Sequence, residues 1–210
     1  MLNEQGGVEN FKMKYLSIFI VTLLLQLSDL SAITVDQRIR GFDIEGLRLG
    51  MMMDSVIKKY NITTIKSIKD KLGVISGYEL IKVVGNKKVF LNFTSEKRLY
   101  FIHYYNRYDD FKDLAEELLQ KSTVKYGKPN STVKQRKMLM ACWGLPCKTF
   151  SPKSPSLKGK FFNSDGRMEL ILYDKHLLQT DWKQYKMKSD QVKYKEEIRR
   201  KKRRQRTLDF

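Results

Sequence analysis

An α+β domain is the fold class that this sequence predicts, on three observations. Helically spaced apolar stripes occur at Met53–Tyr60 and Phe111–Leu119, and runs of alternating apolar and polar residues lie between and after them. Glycine-containing turns separate those runs. With 210 residues, 41% of them hydrophobic and eleven each of Tyr and Phe, the chain can build one core of ordinary size.

At the N-terminus, Lys12 and Lys14 precede an apolar run from Tyr15 to Leu25, which Gln26, Ser28 and Asp29 end. Eleven helical residues span about 17 Å, short of the roughly 30 Å of a bilayer core. Basic residues, a short apolar run and small residues at Ser31 and Ala32 fit a secretory signal peptide over residues 1–32. Met13 is an alternative start, because MKYLSIFIVTLLL is itself a complete leader. An uncleaved anchor or a buried helix is the competing reading. No Cys follows the leader, so a lipid-bearing form is not expected.

The mature domain is expected over 33–182. Residues 33–44 are short and mixed, without an assigned element. Leu47–Tyr60 reads as a strand running into a helix through Gly50 and Met51, with Met53, Val56, Ile57 and Tyr60 on one helix face. Asn61–Leu72 is ambiguous, since Ile65, Ile68 and Leu72 have helical spacing while Ile62, Thr63 and Thr64 are β-branched. Tyr78–Val84 and Lys87–Phe93 form a hairpin across Gly85-Asn86. Leu99–Tyr105 completes a meander and carries aromatic residues on both faces.

A helix starts at Asp109 or Asp110, where an acidic cap suits the helix dipole. Lys125, Gly127 and Pro129 in KYGKP end it, with Gly127 placed for a left-handed cap. Met138–Trp143 reads as a strand, Ser151–Lys158 as an exposed loop, and Lys160–Asn163 with Met168–Tyr173 as a last hairpin. Both halves thus follow one order, a helix and then antiparallel strands, which suggests two helix-plus-meander units. No clear sequence repeat accompanies it.

The charge of +18 is uneven: residues 183–210 hold twelve Lys/Arg against four Asp/Glu. This segment is expected to be a basic tail, partly disordered or helical. Its candidate anion-binding residues are Lys193, Lys195, Arg199, Arg200, Lys201, Lys202, Arg203, Arg204 and Arg206. Glu196 and Glu197 stand four residues before Arg200 and Lys201, an order that supports a helix. Anionic lipid or lipopolysaccharide is a suitable partner, each held Lys or Arg adding about 1 kcal/mol. Nucleic acid suits the same charges, but a leader makes it the less accessible partner.

Cys142 and Cys147 flank four residues, a spacing that is neither a CxxC redox pair nor half of a visible zinc site. A disulfide is the simplest account in an exported chain, and two free thiols are the alternative. The two histidines, His103 and His176, stand far apart in sequence. No GxSxG, HExxH or glycine-rich phosphate loop occurs, and no catalytic or metal-ligating set or cofactor is expected. Tyr100, Tyr104, Tyr105 and Tyr108 are either a binding surface or sheet core. N-x-[ST] triplets at Asn61, Asn92 and Asn130 matter only where exported proteins are glycosylated.

The segment Gly46, Leu47, Leu49, Gly50, Met51 and Val56 resembles the G-[LV]-x-L-G-M-[ST]-x-x-E-V pattern of small exported bacterial proteins. These are the β-lactamase-inhibitor-protein-like and SmpA/OmlA-like group. KYGKP at Lys125–Pro129, then Trp143, then ELILYD at Glu169–Asp174 resemble the downstream half of its members. The resemblance implies helices packed on one face of an antiparallel sheet, export to the periplasm or beyond, and protein–protein binding in the envelope without a catalytic step. Met52 and Ser55 depart from the pattern and remove a capping box worth about 1 kcal/mol.

Overall fold

The structure, a computed structural model, describes residues 34–109, 114–147 and 154–208, with the backbone alone at 206–208. The leader over 1–32, its alternative start at Met13, and the helix stretch from Asp110 to Asp113 that includes Phe111 lie outside the described residues. Among those described, no helix is long and apolar enough to cross a membrane.

The chain is a mixed α+β fold built on one eight-stranded antiparallel sheet. In order it runs α1 (Val35–Arg40), α2 (Met53–Tyr60), β1 (Ile65–Lys69), β2 (Ile75–Val84), β3 (Lys87–Thr94) and β4 (Leu99–Arg107). Then follow α3 (Leu114–Tyr126), β5 (Ser131–Gln135), β6 (Met138–Trp143), β7 (Ser156–Phe162), β8 (Arg167–Tyr173) and α4 (Lys175–Leu208). The spatial order is β1-β2-β3-β4-β8-β7-β6-β5. Each half therefore places helix before a four-strand meander, α1 and α2 in the first and α3 in the second, and within the sheet the halves join where β4 pairs with β8.

Register explains the core. Leu80, Leu91, Ile102 and Leu172 lie abreast on four successive strands, and Leu157 continues the row on β7. All five are at most 1% exposed. Ile39 of α1, Met53 and Val56 of α2, and Leu114, Ala115, Leu118 and Tyr126 of α3 join the same apolar cluster. Side chains alternate across a strand, so the odd-numbered residues of β7 and the even-numbered ones of β8 fill this side.

The segment from Leu47 to Tyr60 departs from the expected strand-to-helix arrangement. Isolated bridges pair Ile44 with Leu47 and Met52 with Arg98, in place of a full strand. Gly50, at φ +83°, turns the chain in the left-handed region. Met52 caps α2 without a side-chain hydrogen bond, as its chemistry requires. The main chain supplies the docking instead: Gly50 donates to the Leu99 carbonyl, Leu99 to that of Met51, and Met53 to that of Lys97.

Three further elements were not resolved by the sequence pattern. Residues 34–40 form α1, where Thr34 and Gln37 complete a capping box. Ser131–Gln135 forms edge strand β5. Ser156, Leu157 and Lys158 belong to β7 rather than to an exposed loop, because Leu157 is wholly buried against Leu172 and Trp143.

At the C-terminus one helix of 34 residues runs from Lys175 to Leu208, spanning residue 182, so the basic segment takes the helical one of its two expected forms. It docks on the β3–β4 and β1–β2 turns, which lie at the end of the sheet where β8 finishes. Arg98 and Thr94 bind the buried Asp181 carboxylate, and Tyr185 and Ser189 donate to Asp70 at 2.7 and 3.1 Å.

Candidate functional site

The other side of the sheet carries the densest grouping of aromatic and charged side chains. Phe101, His103 and Tyr105 of β4 point away from Ile102 and Tyr104, as alternation demands. His103 stands opposite Phe90 on β3 and Ile171 on β8, and Phe101 opposite Tyr173. Ring centroids follow one another from Phe90 to His103 at 5.7 Å, His103 to Phe101 at 6.3 Å, and Phe101 to Tyr173 at 6.2 Å. These are the tilted and edge-on contacts that aromatic quadrupoles favour. Every member of the row is half-buried. Farther along β2, Ile81 and Val83 are 52% and 58% exposed.

Charge surrounds this aromatic row. Glu169 lies 3.2 Å from Lys160, 3.6 Å from Arg167 and 3.8 Å from His103. The last distance exceeds a hydrogen bond, and His103 Nε2 is buried without a hydrogen-bond partner. Burial lowers the His103 pKa and Glu169 opposes that shift, so the imidazole leans toward its neutral form. Lys88 lies over the Tyr105 ring at 5.9 Å, and Arg167 over Phe162 at 4.0 Å. The face therefore presents flat apolar area edged by cations.

The tyrosines divide between the two sides. Tyr104 is 4% exposed and faces the core, where burial raises its pKa; Tyr100 and Tyr105 belong to the aromatic face. Tyr108 packs against the rim of the core. His176 is exposed on the first turn of α4. Among the described residues no group of His, Cys, Asp and Glu could hold a metal ion.

Cys142 and Cys147 form a disulfide with Cα atoms 5.4 Å apart, and no free cysteine remains among the described residues. Of the motif positions, Gly50 and Met51 dock α2 on β4, while Val56 is wholly buried. Gly127 ends α3 at φ +79°, donating to the Thr123 carbonyl, just ahead of Pro129. None of these residues lies on the aromatic face.

The basic residues Lys193, Lys195, Arg199, Arg200, Lys201, Lys202, Arg203 and Arg204 are all exposed on α4, and Arg206 lies on the same helix. Their numbering distributes them around the helix, at 100° per residue, rather than along one stripe. The docking stripe just before them, Asp181, Tyr185 and Ser189, escaped the sequence reading. Its i, i+4, i+8 spacing is helical, but two of its three side chains are polar, so hydrophobic patterning passes over it.

The chain matches no protein-family model, no curated protein and no solved structure.

Proposed function

We propose that the protein is an exported, non-enzymatic envelope protein that binds a partner protein through the aromatic face of its sheet, the short helices being packed on the opposite face. The observation that carries this reading is the row Phe90–His103–Phe101–Tyr173, half-exposed and edged by Lys88, Lys158 and Lys160. Aromatic residues beside cations supply the apolar area and orientation that interface hot spots use. The disulfide supports residence in an oxidising compartment. The shielded Nε2 of His103 supports a packing role for that side chain rather than a proton relay.

Site-specific photo-crosslinking in the source cell tests this. A benzoylphenylalanine at Phe101 should give one discrete heteromeric adduct, and the same group at Val124, 84% exposed on α3, should not. Equal labelling from both positions, or none from Phe101, would remove the reading.

The C-terminal helix favours a second reading, attachment to an anionic surface. Its basic stretch is continuous with a segment locked to the body through Asp181, Tyr185 and Ser189, so charge is held on a helical arm. Because the cations encircle the helix, a flat membrane engages about half of them, at roughly 1 kcal/mol each. Co-sedimentation with phosphatidylglycerol vesicles should fall when residues 193–210 are removed, a truncation that spares Ser189. Unchanged sedimentation would dismiss the arm.

A further inference from the structure

A cleft of about 340 Å³ lies between α3, the loop carrying Ile44 and Glu45, and the core side of β4 and β8. That volume falls within the range of small-molecule sites, roughly 300–1,000 Å³. Its floor is apolar, formed by Leu118, Met168 and Leu170. Two polar side chains lining it, Asn106 and Ser122, are each only 7% exposed. Both line the cleft, so an amide and a hydroxyl are offered to whatever occupies it. A few placed polar groups on an otherwise apolar wall are what small-molecule sites use to fix a ligand's orientation.

The mouth carries Lys87, Lys121 and Lys125. Each lysine rests on an acid at the surface: Lys87 on Glu45 at 3.4 Å, Lys121 on Glu117, and Lys125 on Asp43 at 3.1 Å. Pairs this exposed contribute little and exchange readily for a better partner. Glu45 itself is held at φ +54°, with Tyr60 donating to its carbonyl, so the mouth is built from a fixed loop.

We infer that this cleft binds a small amphiphilic anion: an apolar ring or short chain resting on Leu118, Met168 and Leu170, a hydrogen-bonding atom at Asn106 and Ser122, and one acid group at the mouth lysines. The apolar and polar wall residues are buried, and the three lysines are exposed at its edge. The aromatic face on the other side of the sheet takes no part in it.

The full-length protein, titrated with anilinonaphthalene sulfonate and followed by fluorescence, tests the assignment. Its neutral analogue N-phenylnaphthylamine keeps the aromatic body and lacks the acid. The sulfonate should bind saturably, and Ser122→Leu, which fills the cleft from α3, should weaken it by about tenfold or more. The double variant Lys87→Met/Lys121→Met should weaken the sulfonate about tenfold while leaving the neutral analogue within roughly twofold. Asn106→Asp keeps the shape and adds a negative charge, so it should abolish sulfonate binding; it also serves if Ser122→Leu does not fold. Wild-type affinity in both Ser122→Leu and Asn106→Asp would overturn the site. An equal loss of both probes in the lysine variant would overturn its preference for an anion.

Discussion

The indole N–H of Trp143 donates to the Gly127 carbonyl at 2.6 Å, so the strand that leads into the disulfide loop grips the residue that ends α3. Two motifs separated in the sequence are thereby one contact. Trp143 is wholly buried and meets Tyr126 edge-on at 5.9 Å. Trp143→Phe removes the donor and part of the ring volume, and should destabilise the fold by about 2 kcal/mol in urea unfolding. A midpoint equal to wild type would show that the contact adds nothing.

At Gly127, φ is +79° and a Cβ would meet nothing within 4 Å. Gly127→Ala therefore tests backbone conformation alone. It should lower stability by about 1 kcal/mol, with Gly127→Asn intermediate.

Asp181 is 1% exposed and bound by Arg98 and Thr94. Asp181→Asn leaves Arg98 without its charge partner and should cost about 3 kcal/mol. Loss of helix docking at residues 181–189 should appear as faster amide exchange there. If exchange and stability both stay at wild-type values, the anchor is elsewhere.

Acid should weaken the same anchor. Burial pushes the Asp181 carboxyl upward, but the Arg98 guanidinium and Thr94 hydroxyl outweigh it and hold it below 3.8. Asp70 is lowered first by the Tyr185 hydroxyl, and Asp43 by the Gly46 N–H and Lys125 against the effect of burial. A depressed folded-state pKa gives stability that is present above the unfolded value and lost as pH falls through the folded one. The melting temperature should hold between about pH 7 and 5 and drop below about pH 4, less steeply in Asp181→Asn. A flat profile to lower pH would contradict these carboxylate anchors.

Reduction of the Cys142–Cys147 disulfide opens a loop closed at a sequence separation of 5. In the chain-entropy model this should lower stability by roughly 2 kcal/mol. Thiol titration of the unreduced, denatured protein should find no free sulfhydryl; two would show that the pair does not form.

How much of this was legible depended on what each element uses to hold itself. β3 alternates plainly and the Gly85-Asn86 turn set it against β2, while β4, β6 and β8 were visible as apolar runs, and the β4–β8 and β6–β7 pairings were not read. The helix α2 was visible through Met53 and Val56, and the missing cap at Met52 was correctly expected. Thr34 and Gln37 spell a capping box that could have marked α1, but only six residues follow. β5 was hidden because it is an edge strand with exposed Thr132, Lys134 and Gln135. The aromatic row could not be drawn from sequence, since Phe90, His103 and Tyr173 become neighbours only through the β3–β4 and β4–β8 registers. Asn106 and Ser122 looked like ordinary polar residues, and only burial sets them apart.

The β4–β8 pairing bears on the order in which the chain can assemble. Within each half, the strands are joined by connections of two to twelve residues, which close rapidly. Phe101 and Tyr173 face each other from roughly seventy residues apart, so their strands meet only after a much larger loss of chain entropy. Two meanders can therefore form independently, each with one long unpaired edge, before the central ladder joins them. In that interval β4 and β8 are the most association-prone strands of the molecule, and α4, following directly on β8, brings Asp181 to Arg98 as the halves meet.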